Sequence, residues 1–448
     1  MNSKLARLAL GLGVGIVVCA LVVVALAVRF RTSATICRGV SIATVDVGGL
    51  SKDQASSAVQ NWAREQASKN ITLVALDRRW SGALSDMGVR IDWQPSIEQA
   101  YSLGRNDFSL NSIICALTSG GTGKSIAPRV LIDHSRLEKT LHKVAQAVNA
   151  PHKDARLKIV DSKLEIQQDV VGLQLDEKAA LKAVSKGVQS GQSLIRLPVI
   201  PDHPEVTAKD AASINTVLAS FSTPFNRGKV GRTHNLTLAA QSIDGIILKP
   251  GGVFSMNDTV GPRLAGRGYR IAQIYVQGKL EDGLGGGVCQ VSSTLFNAAL
   301  LAGLTIKERA PHSLVVPYVT PGRDATVAYG QTDFRFQNSA EHPIGIIANA
   351  QGSRLVIQIY GSASDKKEVS LSTSVVNRTA AGTKTIIDAS LPEGHKQVVT
   401  KGSGGLQVVL HRKVKTADGA DVSDSFKSTY RPLATLYAVG PTHEPTAE

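Results

Sequence analysis

Gly285-Gly286-Gly287-Val288-Cys289-Gln290-Val291-Ser292-Ser293-Thr294-Leu295 sets one cysteine between a glycine turn and a segment that reads as a helix. From Val291 onward, Val291, Leu295, Ala298 and Ala302 recur at helical spacing, which predicts one buried face. The thiol then falls in the first turn, where unpaired backbone N–H groups and the helix dipole favour a thiolate. Glycines let the backbone approach a substrate carbonyl closely, Gly287 nearest the thiol. The pattern is that of a nucleophile; a buried structural thiol beside a tight turn is the plainer reading.

A cysteine nucleophile needs a base, and the base needs a group to orient it. Downstream lie Arg309-Ala310-Pro311-His312-Ser313, then the alternating run Leu314-Val315-Val316-Pro317-Tyr318-Val319, expected as a strand that His312 begins. Gly322-Arg323-Asp324 and Gly330-Gln331-Thr332-Asp333 follow, expected on later strands. Cys289, His312 and Asp324 are the candidate catalytic residues, with Asp333 the alternative orienting acid. Gln290 either aims its amide at an oxyanion or caps its helix. Arg232 and Asn235, in Arg232-Thr233-His234-Asn235-Leu236, either contact an anionic substrate or tie a loop to the core.

Outward from this region the chain repeats itself. Ser51 and Ser135, Asp77 and Asp161, Gly88 and Gly172, and Asp92 and Asp176 are each 84 residues apart. Each copy reads as a helix after the serine, a strand, a turn at the aspartate, then another helical segment, so two α+β units are expected. Leu137, Leu141, Val144 and Val148 form the apolar stripe of the second copy's first helix. Gly120-Gly121-Thr122-Gly123-Lys124-Ser125 between the copies lacks the first glycine of a phosphate loop, Thr118 standing there, and reads as a flexible linker. Residues 369–440 carry strand and turn signals with little helix.

Leu8 to Val28 is uncharged and apolar, long enough at about 1.5 Å per residue to cross a bilayer. An uncleaved anchor is expected there, with the bulk of the chain exported; Ala25-Leu26-Ala27 as a cleavage site is the alternative. Four cysteines, Cys19, Cys37, Cys115 and Cys289, do not make a disulfide scaffold, and at least one thiol outside the apolar run is expected to be free. No Cys/His cluster has zinc-ligand spacing, so no metal and no cofactor is called for. The net charge is +14 but aromatics are only 4%, without basic blocks, which argues against nucleic acid. Anionic membrane lipid or acidic wall polymers suit an exported basic chain better.

The segment from Thr223-Pro224-Phe225-Asn226 through Pro250-Gly251-Gly252-Val253-Phe254-Ser255-Met256-Asn257 and Gly285–Thr294 to Asp333–Asn338 resembles the VanW domain. The Gly-Gly-Gly-x-Cys-Gln, His312-Ser313 and Asp324-Ala325-Thr326-Val327 signatures carry the likeness. The two repeats resemble the peptidoglycan-binding modules that precede such domains. Leu391-Pro392-Glu393-Gly394, Gly402, Gly405, Tyr430-Arg431-Pro432 and Gly440 resemble a wall-associated module named for its five glycines.

The expected fold is therefore multidomain α+β: a cytoplasmic N-terminus (1–7), a transmembrane helix (8–28), repeats at 40–120 and 121–208, a VanW domain at 209–362, a β-rich module at 363–440 and a tail (441–448). The resemblance implies cysteine-dependent L,D-transpeptidase chemistry on peptidoglycan stem peptides at Cys289, at the outer face of the cell membrane. A non-catalytic wall-binding scaffold is the rival reading.

Overall fold

In a computed structural model of the chain, residues 14–25, 28–29, 32–105, 123–276, 279–415 and 419–441 are described. The chain divides into two compact units, Met1–Pro151 with Gly172–Asp202, and His152–Val171 with His203–Glu448. Among the described residues no helix is long and apolar enough to cross a membrane. Residues 14–25 of the expected span are helical, whereas 8–13, 26 and 27 lie outside the described residues, as do Cys115, Gly120 to Thr122 and most of the 441–448 tail.

Both copies run helix, hairpin, strand, helix. Copy one has α1 (Lys52–Ala67), strands Asn70–Ala75, Arg78–Ala83 and Val89–Asp92, and α2 (Gln94–Ser102). Copy two has α3 (His134–Val148), strands Arg156–Val160, Lys163–Gln167 and Gly172–Leu175, and α4 (Glu177–Gln189). Ser51 and Gln54 close a capping box on α1, each side chain bonded to the other's backbone N–H at 3.2 and 3.1 Å. The cap of α3 is Asp133 rather than Ser135: its carboxylate accepts the Arg136 N–H at 3.2 Å, and the helix begins two residues early. Lys124 and Ser125, expected as flexible linker, lie in a strand, Lys124–Ile126, that pairs in parallel with Val40–Ile42.

The copies do not pack as self-contained modules. Ile71 and Leu73 of the first hairpin are buried against Leu137, Leu141 and Val144 of α3 and Val184 of α4. Leu194–Arg196 extends that hairpin as a parallel neighbour of Asn70–Ala75. Helices α1 and α2 form a separate core with Ile36, Val40, Ile42 and Ile126. The second hairpin behaves likewise: it belongs to the second unit, where Leu157 packs with Ala211, Ile214, Ile247 and Ile347. The Leu157 N–H donates to the Gly245 carbonyl at 2.9 Å. Each hairpin thus fills the core of the part that follows it.

The second unit is built on an antiparallel sheet in the order Thr216–Pro224, Arg354–Gly361, Ile344–Gln351, Ile247–Leu248. Helices α5 (Val230–Ile243) and α7 (Val288–Leu301) pack on it, with the short α6 (Met256–Val260) between them in sequence. Val253–Ser255, Arg335–Gln337 and Thr305–Glu308 form a second sheet, whose Phe254 and Phe336 stack at 5.1 Å.

Helix α7 differs from the expected half-buried helix, because every residue from Gln290 to Leu300 is buried. Two of its hydroxyls bond back along the helix, Ser293 donating to Cys289 O and Thr294 to Gln290 O, each at 2.7 Å. A helix buried all round sits at the centre of its core. The C-terminal module adds a sheet of Glu368–Thr379, Gly405–Lys415 and Asp421–Tyr430, and a smaller one of Thr383–Ile387, Thr435–Val439 and Lys396–Thr400. Leu410 of the first of these belongs to the same core as α7.

Candidate functional site

The glycine turn is required by what surrounds it. Gly287 caps α7 at φ 117°, a backbone region side chains rarely adopt, and a Cβ there would lie 2.9 Å from Arg232 O. A Cβ on Gly286 would lie 2.6 Å from Gln273 O. Asn235, fully buried, fixes the turn from α5: its amide donates to Gly286 O at 3.2 Å and Arg270 O at 2.8 Å, and its oxygen accepts Arg270 N–H. Of its two expected roles, this is the tie between loop and core.

Cys289 follows in the first turn of α7, a free thiol, partly buried, with Sγ 3.5 Å from Val327 O. Cys19 is also free, while Cys37 is disulfide-bonded. His312 and Asp324 lie on the loop between Glu308 and Arg335. The run Leu314 to Val319 is not a strand there: Leu314 and Val316 are buried in the expected alternation, but no neighbouring strand pairs with them. Isolated bridges, Ala310 to Thr326 and Ala328 to Thr332, are the strand-like pairings of this loop among the described residues.

His312 Nδ1 stands 2.7 Å from Asp324 Oδ2, and the His312 backbone N–H donates to the same oxygen at 2.7 Å. The other carboxylate oxygen accepts Arg309 Nη2 at 3.1 Å and the Tyr430 hydroxyl at 2.6 Å. His312 and Cys289 also interact electrostatically, each moving the other's titration. Cys289, His312 and Asp324 are thereby brought into one relay.

The electrostatics follow from that order. Burial pushes the Cys289 thiol up, but the neighbouring His312 ring and the Arg263 guanidinium bring it below its ordinary range. Burial presses His312 down, and the Asp324 carboxylate with the Cys289 sulfur lifts it past its usual value of 6.5 to about 9. Burial alone would raise Asp324; His312 and Arg309 hold it low. Both shifts favour the charged pair, thiolate and imidazolium, over the neutral one.

The remaining expected residues divide. Asp333 stands apart, accepting Ser255 Oγ at 2.6 Å and the N–H groups of Asn257 and Phe334, so it anchors α6 rather than His312. Gln290 neither caps α7 nor faces the thiol. Its buried amide donates to Pro224 O and Thr223 Oγ1 and accepts Arg232 Nη2 at 3.0 Å. Arg232 lies with its guanidinium 6.0 Å from the Tyr318 ring.

Sequence reasoning assigned no role to Arg263, Arg309, Tyr318 or Tyr430. Tyr318 stands edge-on to His312 at 6.4 Å. Arg263 Nη1 donates to Asn257 Oδ1 at 2.7 Å, and its stem packs against Gly285. Glu341, His342 and Asp365 bring three possible metal ligands within 4.8 Å, but Asp365 already accepts the N–H groups of Glu341 and His342 and the His342 ring.

Comparison with known proteins supplies the family. Residues 231–360 match the family described as VanW like protein, 80–195 the "Putative peptidoglycan binding domain" and 372–441 the G5 domain. "Uncharacterized protein YoaR" of Bacillus subtilis is 38% identical over 234 residues, which are 52% of this chain and 76% of that protein. The chain belongs to the VanW-like family. Vancomycin B-type resistance protein VanW of Enterococcus faecalis is 30% identical over 135 residues, covering 29% of this VanW-like chain and 49% of that protein. The solved IgA1 Protease G5 domain is similar at 18% identity and a TM-score of 0.13, over 17% of this chain and 95% of that domain. The VanW-like segment holds Cys289, His312 and Asp324, and the three matches together make this a cell-wall-associated protein with peptidoglycan as its partner.

Proposed function

We propose that the protein is a cysteine acyltransferase of the L,D-transpeptidase type, working on peptidoglycan stem peptides. One observation carries this reading: Cys289, in the first turn of a buried helix, meets a His312 ring that Asp324 holds on its far side.

The Cys289 thiolate attacks the carbonyl of a diamino-acid residue in a donor stem. First-turn amides of α7 stabilise the tetrahedral oxyanion, an effect of about 3–4 kcal/mol for one well-placed donor. The His312 imidazolium gives its proton to the nitrogen of the terminal D-alanine, the C–N bond breaks, and a thioester remains on Cys289. The side-chain amine of a second stem then attacks the thioester, His312 takes the amine's proton, and the thiolate leaves. Water in place of the amine gives hydrolysis. Residues 8–28 serve as membrane anchor with the bulk of the chain facing the wall, and the repeats hold glycan near the site, raising its effective concentration. The excess of basic residues suits anionic wall polymers as further partners.

The test is acylation by a carbapenem, read by intact mass. The wild type gains a single adduct and Cys289→Ala gains none. Equal labelling of both excludes Cys289 as the nucleophile. No labelling of either, with unchanged muropeptides in cells lacking the protein, leaves a wall-binding scaffold.

A further inference from the structure

Tyr430 ends the strand Asp421–Tyr430 of the C-terminal module, more than a hundred residues along the chain from the loop it touches, and it is 2% exposed. Its hydroxyl accepts the Gly322 N–H at 2.6 Å and donates to Asp324 Oδ1 at 2.6 Å. The next residue repeats the contact through the backbone, Arg431 N–H donating to Ser313 O at 2.7 Å beside His312. Arg309, the other donor to that oxygen, is itself held by the module through Ser428 Oγ at 2.8 Å.

Gly322 lies flat on the module's sheet, where a Cβ would meet Val408 at 3.2 Å. At the far end of α7, the buried guanidinium of Arg412 donates to Leu304 O at 2.7 Å and lies 3.5 Å from Leu300 O, in the helix's last turn. An attached binding unit on a linker would touch none of these groups.

We propose that the C-terminal module is a working part of the cysteine site, and that its Tyr430 is a positioning residue that holds Asp324 against His312. The inference rests on the reading of Cys289 as a nucleophile. Asp324 divides its negative charge between two oxygens, and a hydroxyl bonded to Oδ1 draws charge from the oxygen that faces the ring. Tyr430 therefore fixes the carboxylate in place and moderates its pull on the His312 proton. The charged or titratable groups around the ring are Asp324 and Cys289 directly, Tyr318 edge-on, Arg309 and Tyr430 behind the carboxylate, and Arg232 and Arg263 beyond the thiol. Tyr430 itself, pushed up by burial to about 12, keeps its proton at working pH.

The test is the pH dependence of Cys289 alkylation by iodoacetate in the full chain, followed on the Cys289 peptide because Cys19 is also free. Iodoacetate is drawn by the imidazolium, so the alkaline limb of the rate profile reports loss of the His312 proton. In Tyr430→Phe the carboxylate keeps more charge on the ring side, and the limb moves up by about half to one pH unit. Replacing Tyr430 with 3,5-difluorotyrosine, a stronger donor of the same shape, moves it down, and this decides alone if Tyr430→Phe fails to fold. Alkaline limbs that superpose on the wild type in the folded variants reduce Tyr430 to a packing residue and overturn the proposal. A wild-type Cys289 that stays unreactive until the protein unfolds overturns both this proposal and the nucleophile reading beneath it.

Discussion

The second unit contains the same local construction twice. At His312 an aspartate oxygen captures both the backbone N–H and Nδ1 of the histidine, each at 2.7 Å; at His342 Asp365 does the same at 3.2 and 3.1 Å. The surroundings differ. The His312 side chain is 9% exposed, with a thiol across the ring and Arg309 and Tyr430 behind the carboxylate. The His342 side chain is 39% exposed, and among the described residues the second oxygen of Asp365 serves only the Glu341 N–H. A His–Asp pair is thus a common way to close a turn. Burial, a nucleophile within reach and a braced carboxylate turn one copy into a relay.

The comparison breaks most sharply by exchanging each carboxylate for an amide. In Asp324→Asn the new NH2 competes with the donors that converge on Oδ2, and the ring loses both its tautomer and its partner for the imidazolium. Alkylation of Cys289 at neutral pH is expected to fall by roughly 10²–10⁴-fold, the range for losing a general base or its orienting group. An unchanged rate would mean the two pairs are alike.

A second difference is written in stability. His312 is raised from 6.5 to about 9, so its protonated form is favoured by folding. That contribution is fully present below the unfolded value and is lost as pH rises through about 9. Its ceiling is about 3.5 kcal/mol, taking about 1.4 kcal/mol for each pH unit. Urea midpoints of the wild type and His312→Gln are therefore expected to differ most below pH 6.5 and to converge above pH 9. A gap that stays constant into alkali would show that the ring contributes through packing alone.

The parts of this arrangement that were legible in sequence are local. The order helix, hairpin, strand, helix recurs in both copies, although the second begins its first helix two residues early, and the cysteine after its glycines does sit in a helix's first turn. Strands and helices print their periods over a few residues. The alternation of Leu314 to Val319 forecast burial correctly but not a strand, since no neighbour supplies a ladder. The Ser292, Ser293, Thr294 and Asn297 face of α7 reads as solvated, yet it is buried, with Ser293, Thr294 and Asn297 bonded to carbonyls four residues back or to the site loop. Two features leave no local mark at all: the hairpins that fill the next core, and Tyr430, over a hundred residues from the aspartate it braces. Contacts made by tertiary packing between distant segments have no period to read.

The smallest effect is expected at the control pair, and it sharpens the comparison most. Asp365→Asn exchanges one acceptor for a donor that faces N–H groups in the turn from Asn338 to His342, a loss of about 1 kcal/mol. In a unit of this size that lowers the melting temperature by a few degrees, roughly 2–4 °C. The turn ties the strand Ile344–Gln351 to the Asp365 end of the sheet and supplies nothing to Cys289, so alkylation rate and pH profile should match the wild type. If Asp365→Asn moved the profile as Asp324→Asn does, local His–Asp geometry would set the thiol's reactivity by a general effect on the fold, and the buried surroundings of His312 would lose their explanatory role.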